Sequence, residues 1–373
     1  MYPETYAADY SRLEGTPFTR SRLRNLRCVV VGAGALGNEV ARVLGLLGTA
    51  RVTVVDPDVV EATNLPRSIF FHGGKSAGKN KASALATAAA AIFVETEWSA
   101  IEREIADVGF LRLAEASLLF SCVDSDLARL EIAYISAKLR VPVVDGGLGR
   151  QNYSHGRVTY FPGLPDQACY GCMLSAGKRR ELLELWQATL RPCNPASEAD
   201  AELVSTPTMA GIVGCIQAEI GLRCFFQAAD GVPCPSRSIE IQIHPARRMD
   251  DFTVPVSADC PFHRGDEVLT PLPRADSTFA ELLDSAGAEA VVLDWPVCVE
   301  AKCTDCGKAW SPMLRLAALR RRGSCPACGS RSFLELQTIR AIGPDSAWLR
   351  QTPSALQLPA DHLFSLRPRG GTL

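Results

Sequence analysis

Short apolar runs alternate with helical patterns from residue 27 to about residue 145. The predicted strands lie near 28–31, 51–55, 117–123 and 141–145. The predicted helices lie at 36–47, 82–91 and 127–139. This alternation predicts a mostly parallel, doubly wound α/β sheet with helices on both faces. Its ligand crevice is expected at the C-terminal ends of the strands.

The pattern changes after residue 145. A strand at 157–161 is followed by a segment rich in Pro, Gly and polar residues over 163–207, which we interpret as a long crossover. A buried helix at 208–226 and a hairpin of 239–244 with 252–256 come next. The predicted domain bounds are 1–270 for the α/β domain, 271–290 for a linker, 291–345 for a small module and 346–373 for a tail.

Composition narrows the class of protein. The chain has 373 residues, a net charge of −2 and 47% hydrophobic residues, so no global basic field favours nucleic acid or a membrane surface as partner. No run reaches the roughly 18 apolar residues of a membrane helix, and the N-terminus lacks the order of a signal peptide. The 14 cysteines in so long a chain favour a reducing cytoplasm over a disulfide scaffold.

A glycine-rich loop follows the first strand. Gly32 permits a tight turn, Gly34 lets the backbone approach a phosphate, and Gly37 allows close helix–strand contact. Asp56 ends the second strand, where an acidic side chain can bind ribose hydroxyls. By itself this motif is most typical of nicotinamide or flavin enzymes.

The residues that follow change this interpretation. Asp58, Asn64, Arg67 and Lys81 come within the next 25 positions. Arg67 offers forked contacts and Lys81 a compact charge, and both suit a triphosphate. Lys79 ranks below Lys81. An NAD(P)-dependent oxidoreductase stays open as an alternative of another class, and a degenerate nucleotide-binding scaffold is a further one.

Together these motifs resemble a known family. The glycine loop, the Asp-x-Asp-x-Val-x-x-x-Asn-Leu-x-Arg motif at 56–67 and Gly-x-x-Lys-Ala at 78–82 resemble the adenylation domain of ubiquitin-like-protein activating enzymes and their bacterial relatives ThiF, MoeB and HesA. The stretches 120–129 and 205–219 extend the resemblance. Ser68 and Ser125 depart from it, because glutamine and asparagine are usual there.

The resemblance implies roles for single residues. Phosphates would be held by Gly32, Gly34 and Gly37, ribose by Asp56, and the ATP triphosphate by Asn64, Arg67 and Lys81, with Asp58 completing the motif. Asp124 would coordinate Mg²⁺. Relatives are commonly homodimers in which an N-terminal arginine reaches the partner's ATP, and Arg12 matches that position weakly, with Arg20 as the alternative.

Two zinc sites are predicted. The pairs Cys303/Cys306 and Cys325/Cys328, each followed by a glycine, have the spacing of a tetrahedral zinc ribbon. A module this small needs the metal for its stability. The second site would join Cys169 and Cys172 to the distant Cys260 and His263. The resembled family often carries such distant pairs, usually as four cysteines.

Cys193 is the candidate nucleophile. It lies in the proline-bounded segment Arg191-Pro-Cys-Asn-Pro, where Arg191 would favour the thiolate. In activating enzymes a reactive cysteine occupies this crossover, whereas MoeB-type enzymes do not need one. Cys234 and Cys298 are the next candidates.

The resemblance implies an ATP-dependent activating enzyme. It would adenylate the C-terminal glycine of a small ubiquitin-like (β-grasp) protein and then form a thioester on Cys193. The alternative within the class is a sulfur-carrier adenylyltransferase for thiamine or molybdopterin synthesis, without the thioester. A conjugating enzyme is a further candidate partner, and the ribbon is expected to recruit a protein. The identity of the partner and the pathway stay open.

Overall fold

The computed structural model describes residues 8–72, 76–149, 152–187, 205–263 and 268–369. The chain divides into two compact units. The first contains the described residues within 8–105, 115–173 and 205–262. The second contains the described residues within 106–114, 174–187 and 263–369.

The first unit is built on eight strands. They are β1 (Arg27–Val31), β2 (Arg51–Val55), β3 (Glu97–Ile101), β4 (Leu118–Ser121), β5 (Val143–Leu148), β6 (His155–Phe161), β7 (Arg237–Gln242) and β8 (Arg248–Thr253). The helices of the described chain are α1 (Arg20–Leu23), α2 (Ala35–Leu47), α3 (Lys81–Ile92), α4 (Phe110–Ala114), α5 (Asp126–Leu139), α6 (Tyr170–Met173), α7 (Ala176–Gln187), α8 (Pro207–Ala229), α9 (Phe279–Ala286) and α10 (Leu316–Arg322).

The strand order in this sheet is β3-β2-β1-β4-β5-β6-β7-β8. The strands from β3 through β5 pair in parallel, and β6, β7 and β8 add antiparallel. The predicted doubly wound, mostly parallel α/β fold is confirmed. The chain winds outward from β1 in one direction through β2 and β3, and then returns to the other side of β1 to form β4. This reversal creates a switch point between β1 and β4.

A buried apolar layer joins this sheet to its helices. The strands β1, β2 and β4 contribute Val30, Val54 and Phe120, each fully buried, as their continuous apolar runs predicted. Helix α8 packs against α2 and against β5 and β6. By length and composition α8 could cross a membrane, but 56% of its most apolar window is buried in the structure, as in the core helix of a soluble protein.

The second unit has a six-stranded sheet of its own. Its strands are β9 (Leu269–Pro271), β10 (Ala288–Cys303), β11 (Ala309–Trp310), β12 (Leu314–Arg315), β13 (Phe333–Ile342) and β14 (Leu363–Pro368). Phe279, Val291 and Phe364 form the centre of its core. The residues predicted as a linker, 271–290, thus contain α9, which begins at a capping box of Thr278 and Glu281. The predicted tail contains β14.

Two earlier segments of the chain belong to this second unit. From α4, Phe110 is fully buried and its ring lies 4.2 Å from that of His362. From α7, Trp186 stacks on Trp295 at 4.9 Å. The second unit is therefore larger than the predicted module at 291–345, because it takes in segments from both sides of β4.

Candidate nucleotide and metal sites

The glycine loop lies at the switch point of the first sheet. Gly32 follows β1 directly, and Cys122, which follows β4, donates its backbone N–H to Val31 at 2.8 Å. Gly32 has φ +94°, and a Cβ there would lie 2.6 Å from the carbonyl oxygen of Cys122. A side chain is excluded at this position by both conformation and space.

The other two glycines have different surroundings. A Cβ on Gly37 would overlap the carbonyl oxygen of Gly32, so glycine is required for α2 to begin so close to the strand. Gly34 has nothing within 4 Å of its Cβ position. It is the N-cap of α2 and has no side chain to accept from the first N–H groups of the helix. The first N–H groups of a helix without a capping side chain are suited to bind an anion.

Asn38 is a site residue that the sequence analysis missed. It is fully buried, and its Nδ2 donates to the carbonyl oxygens of Ala33 and Gly34 at 2.9 and 3.0 Å. Its Oδ1 accepts from the N–H of Phe70 at 3.0 Å. Asn38 therefore fixes the loop and ties it to the segment that follows Arg67. The available signal was an amide side chain within the apolar stripe of α2.

Asp56 is buried at the end of β2. Its two oxygens accept from the backbone N–H groups of Ala33 and Asp58 at 2.7 and 2.8 Å. Burial raises the pKa of this carboxyl group above its usual value, against the opposing effect of these two hydrogen bonds. Asp56 thus joins the glycine loop to the next segment, and its predicted ribose contact stays a prediction.

Lys81 and Asp58 meet beside Asp56. Lys81 is the first residue of α3, and its Nζ lies 3.1 Å from Asp58 Oδ2. The Lys81 side chain is 16% exposed and that of Asp58 is 62% exposed. Asn80 donates to the carbonyl oxygens of both aspartates at 2.9 and 3.1 Å, which holds the start of α3 against the end of β2. Lys81, which is predicted to contact the triphosphate, therefore lies at the same end of β2 as Asp56, which is predicted to bind ribose.

Arg67 ends a 3₁₀ turn, Ala62–Arg67. Its guanidinium donates to the Ser205 hydroxyl, while its buried Nε has no hydrogen-bond partner among the described residues. The same is true, within those residues, of the buried hydroxyl of the neighbouring Ser68. Asn64, the third triphosphate candidate, is buried and accepts from the Glu61 N–H at 2.9 Å. Its Oδ1 thus supports the turn that carries Arg67.

Asp124 is exposed just beyond β4, close in the chain to the contact between Cys122 and Gly32. The serine that replaces asparagine after it keeps a structural role, because Ser125 Oγ accepts from Ala128 N–H at 3.1 Å and caps α5. Arg129, on the first turn of this helix, donates to the Val123 carbonyl at 2.6 Å. The loop that carries Asp124 is therefore held from both ends.

The two N-terminal arginines, Arg12 and Arg20, differ in exposure and in their contacts. Arg20 is bound within its own chain, since its guanidinium donates to the Gly48 carbonyl and to Glu95 and lies 4.1 Å from the Tyr10 ring. Arg12 is exposed and takes part in no ion pair among the described residues. Of the two, Arg12 alone is available to reach another subunit.

The four ribbon cysteines converge as predicted. Their sulfur atoms all lie within 4.8 Å of one another. The pairs Cys303/Cys328 and Cys306/Cys325 are each 3.6 Å apart. A tetrahedron of thiolates with Zn–S bonds of about 2.3 Å has edges of about 3.8 Å. The spacing therefore fits zinc and is far too long for a disulfide.

The four ligands of the second predicted zinc site also lie close together. One ligand atom each from Cys169, Cys172, Cys260 and His263 lies within the same 4.8 Å limit. Cys169 and Cys260 have their sulfurs 3.5 Å apart although they are 91 residues apart in the chain. Three sulfurs and one imidazole nitrogen are a donor set that zinc accepts.

The candidate nucleophile Cys193 lies outside the described residues, so its surroundings stay a prediction. The two alternative candidates, Cys234 and Cys298, are poorly suited to act as the nucleophile because both are buried. Burial raises the pKa of the Cys298 thiol to about 11, which disfavours the reactive thiolate.

A glycine loop at the switch point of a doubly wound sheet, with cations from the next segment, defines a Rossmann-like nucleotide-binding protein. Within that class the chain belongs to the ThiF family, whose family model matches residues 9–259. The predicted family is confirmed, and the match counts against an NAD(P)-dependent oxidoreductase.

Individual relatives agree with this assignment. The SAMP-activating enzyme E1 of Haloferax volcanii is 25% identical over 66% of this chain and 83% of that protein. The molybdopterin-synthase adenylyltransferase of Salmonella typhimurium is 28% identical over 40% of this chain, which spans 59% of that relative. Such relatives confirm the predicted enzyme class. A crystal structure of E. coli MccB with AMPCPP and MccA shares the fold at 17% identity, with a TM-score of 0.50 over 66% of this chain and 68% of that chain.

Proposed function

We propose that this protein is an ATP-dependent activating enzyme that adenylates the C-terminal glycine of a small ubiquitin-like protein, with Mg²⁺ as the metal of the reaction. The observation that carries the proposal is the strand edge at the switch point. There Asp56 joins the glycine loop before α2 to Asp58, which forms an ion pair with Lys81. Asn38 of α2 binds the backbone of Phe70, three residues after Arg67. A hydride-transfer enzyme does not need these cations, whereas a triphosphate does.

The residues at this edge fit ATP. The N–H groups that begin α2 would bind phosphate oxygens. Arg67 has a buried, unpartnered Nε, and the ion pair between Lys81 and the exposed Asp58 can be exchanged for a contact with phosphate. Asp124 supplies the carboxylate that a phosphate-bound Mg²⁺ requires. The two cysteine clusters would hold zinc in closed, structural sites.

The chemistry needs positioning and charge stabilisation. The partner's C-terminal carboxylate forms a bond to the α-phosphorus as the bond to pyrophosphate breaks, which gives an acyl-adenylate. Negative charge moves onto the leaving pyrophosphate, and Arg67 and Lys81 would offset it. The protein supplies no nucleophile in this step, so its contribution is to hold the two reactants in line.

Magnesium-dependent ATP–pyrophosphate exchange tests the proposal. Asp124→Ala should abolish exchange, and Arg67→Ala and Lys81→Ala should each lower it by about 10²-fold or more, since each removes one electrostatic contact of the transition state. Lys79→Ala, at an exposed position two residues from Lys81, is the matched control and should keep full exchange. Unchanged exchange in Asp124→Ala would remove this site assignment.

We further propose that the Cys193 thiolate attacks the carbonyl carbon of the acyl-adenylate, which forms a thioester as the bond to AMP breaks and AMP leaves. Its support is the sequence setting beside Arg191 in the crossover and the likeness to an archaeal E1. The likeness to a molybdopterin-synthase adenylyltransferase supports the second candidate, an adenylate without a thioester.

A non-reducing gel separates these two candidates. With ATP, Mg²⁺ and the cognate small protein, a reductant-sensitive adduct is expected for the wild type and not for Cys193→Ala, which should retain pyrophosphate exchange. Cys215→Ala, at an exposed cysteine of α8, is the control and should keep the adduct. Exchange without any adduct would support the adenylate-only function.

A homodimer in which Arg12 reaches the partner's ATP completes the proposal. Its support is the exposure of Arg12, in contrast to the bound Arg20. Light scattering that shows a fully active monomer would exclude it.

A further inference from the structure

A buried carboxylate, Asp145, lies near the end of β5. Its Oδ1 accepts from the Ser121 hydroxyl at 2.7 Å, and its Oδ2 accepts from the guanidinium of Arg129. The side chains of Asp145 and Arg129 are only 3% and 9% exposed. This buried carboxylate therefore already has its full countercharge.

A second cation approaches the same carboxylate. Arg157 on β6 has its Nη2 3.6 Å from Asp145 Oδ2, which is beyond the range of an N–H···O hydrogen bond. Its side chain is 32% exposed, and its buried Nε has no hydrogen-bond partner within the part of the chain that the structure describes. Two guanidiniums and one carboxylate leave a net positive charge, and Arg157 is the member of the three that solvent can reach.

The register of the strands places Arg157 at the nucleotide edge. Arg157 is paired with Gly147, two residues after Asp145, and Gly147 has no side chain to cover it. On β7 it is paired with Glu240, which is exposed and, among the described residues, forms no ion pair with it. Since β5 ends at the same edge as β1 and β4, Arg157 belongs to the row of strand ends that carries the glycine loop.

A forked cation without a saturated partner at this edge suits an oxyanion. The glycine loop, Arg67 and Lys81 occupy the β1 side of the edge, where the phosphates would bind. Arg157 lies two strands beyond β4, on the other side of the switch point. A second substrate that approached the α-phosphate from this side would pass Arg157. The second oxyanion of the proposed reaction is the carboxylate of the partner's C-terminal glycine.

We propose that Arg157 binds this C-terminal carboxylate and that Asp145 and Arg129 hold Arg157 in place. This assignment rests on the proposed adenylation function. Binding through one oxygen leaves the other free to attack phosphorus, and the guanidinium releases the carboxylate as its charge is lost in the acyl-adenylate.

Kinetics of pyrophosphate exchange test the assignment in the full-length protein. Arg157→Ala should raise KM for the small carrier protein by about 10- to 100-fold, the effect of losing one charge-assisted hydrogen bond, with little change in KM for ATP. Arg157→Lys should recover part of the loss. Arg237→Ala is the matched control, because Arg237 is on the neighbouring strand β7 and is similarly exposed, at 36%. Unchanged KM values in Arg157→Ala would overturn the proposal, and a rise confined to ATP would assign Arg157 to phosphate instead.

A binding measurement without ATP separates this assignment from the proposed function. Isothermal titration would compare a short peptide that ends in a free Gly-Gly carboxylate with the same peptide as its C-terminal amide. The wild type should favour the free carboxylate, and Arg157→Ala, with its melting temperature retained, should not. If the wild type discriminates between the two peptides but shows no pyrophosphate exchange, the adenylation function is rejected and the carboxylate site is kept. If it shows exchange but binds the acid and the amide equally, the carboxylate site is rejected and the adenylation function is kept.

Discussion

The two metal clusters use similar ligands but differ in how the chain assembles them. The ribbon cluster spans 25 residues between Cys303 and Cys328. The other spans 91 residues between Cys169 and Cys260. In the ribbon cluster buried and exposed ligands alternate, whereas every ligand of the distant cluster is at least partly buried.

This difference in assembly indicates which part of the fold depends on a bound metal. The ribbon has a core of few residues, centred on Leu316, Leu319 and Phe333. Such a core is too small to offset the chain entropy by itself, so zinc bound there would contribute to folding. The distant cluster belongs to a chain region with a large sheet and core, where a metal would close a long loop. We therefore expect a metal in the ribbon to be required for local structure and a metal in the distant cluster to add stability.

The largest expected effect is loss of the ribbon. Cys306→Ser should remove one zinc ion and, with it, binding free energy on the order of 10 kcal/mol that holds this segment folded. Hydrogen exchange should show lost protection from residue 303 to 335, with pyrophosphate exchange retained. Cys215→Ser, at an exposed cysteine outside both clusters, should change neither. If the ribbon of a zinc-free variant kept its protection from hydrogen exchange, the ribbon would not depend on metal for folding, and the proposed difference between the two sites would be rejected.

A smaller effect is expected at the distant cluster. Cys260→Ser should also remove one zinc ion but leave the first unit folded, with unfolding free energy lower by on the order of 4 kcal/mol, as estimated for opening a loop of this length. Thermal denaturation and metal analysis would measure this. Complete unfolding at room temperature would mean that both clusters are required for folding.

The smallest effect is expected from His263→Cys. Thiolate is as good a zinc ligand as imidazole, so the variant should keep two zinc ions per chain and nearly the wild-type melting temperature. Metal analysis that found a single zinc ion per wild-type chain would show that one of the two clusters does not bind zinc.

The sequence predicted β1, β2, β4 and β5 well, because these strands are continuous apolar runs. It missed β3 (Glu97–Ile101) and placed the partner of β7 at 252–256 instead of Arg248–Thr253, because neither of these strands is a continuous apolar run. The ribbon ligands followed from local spacing. The distant cluster depended on the family resemblance, since nothing in the sequence around Cys172 indicates that Cys260 lies beside it.

Other features gave weaker signals or none. The capping box of Thr278 and Glu281 was readable in the sequence, and it identifies a helix where a linker was predicted. Asn38 and Arg157 could not be assigned, because their importance comes from neighbours on other strands. The inclusion of α4 and α7 in the second unit depends on contacts of Phe110 and Trp186 with residues more than a hundred positions away.

The composition of the second unit from three chain segments has an evolutionary consequence. A domain encoded in one stretch can be gained or lost in a single recombination event. Here a cut after residue 270 would leave Phe110 and Leu182, both almost fully buried, without the strands that cover them. A recombination event that replaced the ribbon-bearing unit would therefore have to replace the segments 106–114 and 174–187 with it, and chimeras that exchange only the C-terminal third should be insoluble.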